Sequence, residues 1–107
     1  MIFDELKALV DLYIGYQDNK KKDQKEKNFD LTLLNLYKLG QNGTRGISED
    51  DLKDIQGISR TNLVLAIKQA ESIGLIIDIS SHDGRVWMLS NDGNLYVRAL
   101  LADFKNN

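Results

Sequence analysis

The sequence predicts an α+β fold, mainly α with a small β-hairpin, and three observations carry that prediction. Apolar residues recur at three- and four-residue spacing over most of the chain, the period of helices with one buried face. Two β-prone runs, LIIDIS at 75–80 and VWML at 86–89, flank the polar loop SHDGR, whose Asp83-Gly84 is a hairpin turn signal. Proline is absent altogether, in keeping with a mostly helical chain.

The best-marked stretch is 47–75, which reads as two helices joined by a tight turn. Ser48 precedes the acidic first turn Glu49, Asp50 and Asp51, with Asp51 at the capping-box position, and the acids suit the positive end of the helix dipole. Leu52 and Ile55 supply a short apolar face, and Gly57 ends the helix because glycine reaches the left-handed conformation at little cost. Ile58 fills the corner, Ser59 caps the second helix, and Leu63, Ala66, Ile67, Ala70 and Ile73 mark its buried face before Gly74 stops it. This is the pattern of a helix-turn-helix with 59–73 as the recognition helix.

Around that stretch the chain divides as follows. Residues 1–17 carry Ile2, Phe3, Leu6, Leu9, Val10, Tyr13 and Ile14, a stripe wide enough to need a partner surface, either the chain's own domain or a second subunit. Residues 18–28, DNKKKDQKEKN, are charged and free of apolar residues; they read as a linker or a frayed helix end, whose lysines are solvated or touch phosphate. Residues 29–41 form the first helix of the central unit, capped by Asn28 or Asp30, with Phe29, Leu33, Leu36, Tyr37 and Leu39 toward the core. Gly40, Gly43 and Gly46 then make a loop containing Arg45; they match no phosphate-loop pattern. Of the alternating Trp87 and Met88, one points inward. Residues 91–104 form a last helix capped by Asn91 or Asp92, and its Leu95, Tyr96, Val97, Leu100, Leu101 and Phe104 exceed what one small domain covers.

Composition bounds the function. A chain of 107 residues fits one domain, 1–107. With no cysteine and one histidine, His82, there is no disulfide, no thiolate site and no recognisable metal or nucleophile-base set, so no enzyme chemistry, cofactor or metal is expected. No apolar run approaches a membrane span, and MIFDELK lacks the basic start of a signal peptide, so the expected place is the cytoplasm. The net charge of −2 argues mildly against a nucleic-acid partner, but the acids concentrate on 48–57, and the second helix holds Arg60 and Lys68 against Glu71.

A helix-turn-helix followed at once by a hairpin is a winged helix-turn-helix, here with flanking N- and C-terminal helices (29–90 between 1–17 and 91–104). At ISRTNLVLAIKQAESIGLI, Asp83-Gly84-Arg85 and Leu89-Ser90-Asn91-Asp92-Gly93 the chain resembles DNA-binding regulators of the multiple-antibiotic-resistance-regulator (MarR) type, with a shorter wing hairpin. The resemblance implies a homodimer that binds double-stranded DNA as a transcriptional repressor and is nucleoid-associated when bound. It also implies a wing in which Asp83 orients Arg85, and terminal helices that pack between subunits.

The exposed face of the recognition helix supplies the candidate contacts. Arg60 suits guanine, Asn62 adenine, and Thr61 a thymine methyl or phosphate; Ser59, Lys68 and Gln69 share that face. Leu65 lies in its middle, to meet a thymine methyl, another protein chain, or the N-terminal helix. Arg85 is the candidate for a narrow minor groove, with His82 at the wing tip and Arg45 in the loop as further candidates. Phe3, Leu6, Val10, Tyr13, Tyr96, Leu100 and Phe104 are the candidate dimer interface. Two other uses of the fold stay open. One is a plasmid-partition adaptor that binds a centromere. The other is a protein-interaction module that has lost DNA and engages a second protein.

Overall fold

A computed structural model describes residues 8–15, 24–41 and 43–106. In chain order these form α1 (8–15), α2 (Gln24–Leu39), β1 (Ile47–Ser48), α3 (Glu49–Gln56), α4 (Arg60–Ser72), β2 (Ile76–Asp78), β3 (Val86–Leu89) and α5 (Asn91–Asn106). The strands make one antiparallel sheet in the order β1-β3-β2, with Ile47 opposite Trp87 and Ile76 opposite Leu89. The expected architecture, mainly helical with a small sheet, is observed; the third strand, β1, is an addition. Two residues are too few to show alternation, so β1 exists only because β3 lies beside it.

The core is built around α2. Leu33, Leu34, Leu36 and Tyr37 are all buried, so this helix is enclosed on most of its circumference by α3, α4, α5 and β3. Its start corrects the sequence reading. Of the two readings of 18–28, residues 24–28 take the helical one, as the ordered start of α2, and Asn28 and Asp30 sit inside the helix, buried, instead of capping it. Polar composition hid this because the buried polar groups find partners within α2 and on α3. Gln24 Nε2 donates to Asn28 Oδ1 at 3.0 Å, the Thr32 hydroxyl donates to the Asn28 carbonyl at 2.7 Å, and Gln56 Nε2 donates to Thr32 Oγ1 at 2.7 Å. Residues 18–23 of the expected linker lie outside the described residues.

The helix-turn-helix closes as its caps require. Ser48 Oγ accepts from the Asp51 amide, Gly57 takes φ +68°, and Ser59 Oγ accepts from the Asn62 amide. Leu63, Ala66, Ile67 and Ala70 are buried, and Ile58 packs partly against the core. Two apolar residues depart from expectation. Ile55 is 51% exposed, because α3 turns Leu52 and Gln56, four apart, toward α2; Ile73 is 62% exposed at the C-cap, where the chain leaves the helix.

The last helix is capped by Ser90 rather than by Asn91 or Asp92. Ser90 Oγ accepts from the Gly93 amide at 3.0 Å, and its hydroxyl donates to the Gly74 carbonyl at 2.5 Å, tying α5 to the end of α4. Gly93 is buried against the Leu75 carbonyl, which leaves no room for a Cβ. Val97 and Leu101 enter the core. So do Val10 and Tyr13, which were expected at a subunit interface. Val10 is fully buried within its own chain, and the Tyr13 ring stands edge-on to Phe104 at 5.2 Å, so α1 already spends its apolar face on α5 and α2. Tyr96, Leu100 and Phe104 are partly buried in the same cluster, while Phe3 and Leu6 lie outside the described residues.

Candidate nucleic-acid interface

The outer face of α4 is open. Ser59, Arg60, Thr61, Asn62, Leu65, Lys68 and Gln69 are all exposed, and the buried residues of the helix fall on the opposite side. Leu65, at 55% exposure, is not covered by the N-terminal helix. It forms part of a recess of about 310 Å³ with Lys25, Asn28, Asn62, Ala66 and Gln69. The first turn of α2 therefore lies beside the N-terminal half of α4. Lys25 on that turn is a cation that the sequence reading placed in a linker; only the packing of α2 on α4 brings it there.

Charges on α4 have partners on α3. Arg60 Nη2 lies 3.0 Å from Asp50 Oδ1, with both side chains largely in water. Such a pair contributes at most ~1 kcal/mol and yields readily to a competing anion. Lys68 is exposed further along the same face, and the Ser59 hydroxyl is engaged in capping.

The wing is short. Beyond the paired residues of β2 and β3, the Ile79 amide donates to the Val86 carbonyl at 2.9 Å, and Ser81 and Gly84 form an isolated bridge around the two-residue tip His82-Asp83. The turn thus sits one residue earlier than Asp83-Gly84, with Gly84 closing it at φ +141°. His82 and Arg85 are exposed as expected. The expected orientation of Arg85 by Asp83 is not what the structure contains. Among the described residues Asp83 forms no ion pair with Arg85; its amide donates to Ser81 Oγ, and the ion pair of Arg85 is with Glu49 of α3, Nη1 to Oε1 at 3.8 Å. The reason is the register, which places Ser48 opposite Val86 and so brings the start of α3 against the base of the wing. Across the hairpin, Asp78 is held below the usual carboxylate range, chiefly by the Ser80 hydroxyl and amide, with a contribution from the charge of Arg85.

Arg45 stands apart from this surface. It lines a recess with Leu39, Ile47, Asp51, Asp54 and Ile55, on the side of α3 rather than of α4. Among the described residues no group of three or more histidine, aspartate or glutamate side chains is placed to hold a metal ion, and no helix is long and apolar enough to cross a membrane.

The order of elements, the exposed second helix and the hairpin define a winged helix-turn-helix protein. No protein-family model and no curated protein matches the sequence. Solved structures of Staphylococcus aureus MepR, described as a transcription regulator of the multidrug efflux pump MepA, do match the fold. The similarity has a TM-score of 0.63 and 20% sequence identity over 99% of this chain and 73% of that one. A MepR point mutant bound to an oligodeoxyribonucleotide gives the same TM-score and identity over 99% and 72%, and a second point mutant over 99% and 73%. At that identity the likeness establishes a shared fold, the one the MarR-type resemblance implied.

Proposed function

We propose that this chain binds double-stranded DNA as a homodimeric winged helix-turn-helix regulator of transcription, acting as a repressor. The observation that carries the reading is the outer face of α4. In a fold shared with a regulator whose point mutant is seen bound to an oligodeoxyribonucleotide, that face keeps Arg60, Thr61, Asn62, Lys68 and Gln69 in solvent, with guanine- and adenine-matching side chains at its N-terminal end. Leu65 among them suits a thymine methyl. Arg85 at the base of the wing is the minor-groove contact, and Lys25 joins the surface as a phosphate contact.

Dimerisation is supported by what the fold leaves uncovered. Leu12 of α1 is 65% exposed and Leu95 of α5 62% exposed, and Leu100 and Phe104 are only partly buried. These residues, rather than Val10 and Tyr13, form the proposed two-fold contact. Light scattering at micromolar concentration is expected to give a dimer, and Leu95→Glu a monomer.

The functional test is a gel shift and footprint on DNA flanking the chain's own gene. Two protected half-sites about one helical turn apart support a dimeric regulator. A long array of such sites supports the partition adaptor instead. Binding no tighter than to random duplex supports the protein-interaction module, for which exposed Leu65 and the pairing of Arg60 with Asp50 are the structural arguments.

A further inference from the structure

Arg85 and Glu49 are joined twice. The Glu49 amide donates to the Arg85 carbonyl at 3.0 Å, and the Glu49 carboxylate faces the Arg85 guanidinium at 3.8 Å. The two ends of this pair differ in environment. The Glu49 side chain is 12% exposed and its Oε1 is buried with no hydrogen bond, whereas the Arg85 side chain is 60% exposed. A carboxylate oxygen withdrawn from water without a hydrogen bond favours an opposing charge nearby. The positive end of α3, of which Glu49 is the first residue, and the Arg85 guanidinium both lie near it. Arg60 and Asp50, 58% and 81% exposed, are under no such constraint.

The contact orients Arg85 without consuming it. The approach is at Nη1, and the Arg85 side chain as a whole stays 60% exposed, so the guanidinium remains open to a further acceptor. Glu49 is also the first residue of α3, which runs through the Gly57 turn directly into α4. The ion pair of the guanidinium therefore ties it to the helix-turn-helix, while Asp78 across the hairpin feels its charge. We infer that Glu49 is the positioning residue of the wing, holding Arg85 at a set place relative to α4 so that minor-groove and major-groove contacts engage together. This rests on the DNA-binding reading above.

The test uses full-length protein and a site selected from a pool of random duplexes, carried in two duplexes that differ only in A·T or G·C flanks. Fluorescence anisotropy gives the ratio of the two affinities, which cancels the sequence-blind gain from deleting a negative charge. Wild type is expected to favour A·T flanks, and Arg85→Ala to abolish that preference. Glu49→Gln, and Glu49→Asp as a variant that keeps the charge, are each expected to narrow it about threefold or more. Glu49→Gln in the Arg85→Ala background should change the ratio no further, and Asp83→Ala should leave it intact. An unchanged ratio in both Glu49 variants overturns the inference. So does an equal loss on both flanks that persists without Arg85, the signature of a merely structural role. A wild type that binds the selected core with no flank preference removes this role for Glu49 and leaves the DNA-binding reading standing. Selection that recovers no site removes both.

Discussion

Helices α2 and α4 pack against each other and break the ordinary hydropathy rule in opposite directions. α2 buries Asn28, Asp30, Thr32 and Asn35 beside its leucines, whereas α4 leaves Leu65 more than half exposed among polar neighbours. Inside α2 most of these polar groups are tied down. Gln24, Thr32 and Gln56 form a connected set of hydrogen bonds, and the Tyr96 hydroxyl donates to Asp30 Oδ1 at 3.3 Å. On α4 the exposed apolar residue stands over a recess beside the side chains proposed to read bases. Buried polarity tied into hydrogen bonds is a device of architecture; an exposed apolar side chain over a recess marks a surface suited to being covered.

That contrast can be broken most forcefully in the core. Leu33→Ala in α2 is expected to lose ~2–5 kcal/mol in urea unfolding, because the side chain is fully buried. Leu65→Ala on α4 is expected to stay within ~0.5 kcal/mol of wild type in stability while weakening DNA binding. A large stability loss for Leu65→Ala would place that residue in a folding role and end the contrast.

Thr32→Val keeps the shape of α2 but leaves Gln56 Nε2 without its acceptor, and is expected to cost ~1–3 kcal/mol in the same measurement. On the α4 side, Arg60→Ala and Asn62→Ala are each expected to lose ~1–3 kcal/mol on the cognate site by anisotropy, with far smaller losses on random duplex. Equal losses on both would take base reading away from α4.

Two neighbouring lysines of α2 sharpen the comparison further. Lys25 borders the recess on α4, whereas Lys27 lines a recess facing α1 and α3. Lys25→Ala is expected to lower the slope of log affinity against log salt by about one, and Lys27→Ala to leave it unchanged. Equal slopes in the two variants would return Lys25 to ordinary solvent.

The smallest expected effect is alkaline. Burial, and then the charge of Asp30, push the Tyr96 phenol up from 10.0 to about 12. The folded state holds this proton more tightly than the unfolded chain does. Its contribution is therefore complete below pH 10 and declines from there toward pH 12. Tyr96→Phe should lose less stability than wild type across that window; identical alkaline profiles would show that Tyr96 titrates as an ordinary tyrosine.

What sequence alone determined here is what short-range chemistry determines. Ser48, Gly57, Ser59 and Gly74 bound the two helices of the helix-turn-helix, because a cap is a hydrogen bond or a backbone angle within three or four residues. β3 was legible as Val86–Leu89 from its run of β-prone residues after a hairpin turn signal. The exposed face of α4 followed from the period of its buried residues, and with it most of the candidate DNA contacts. Tertiary structure decided everything that depends on a partner distant in the chain. β1 is a strand only because β3 is there, and residues 24–28 are helix although no apolar residue announces it. Val10 and Tyr13 were spent on the chain's own core once α1 met α5. Lys25 reached the α4 face, and Arg85 exchanged Asp83 for Glu49, a residue thirty-six positions earlier, because the sheet register sets the start of α3 against the wing. Local rules know nothing of such pairings, since the free energy that selects them is released only when separate elements pack.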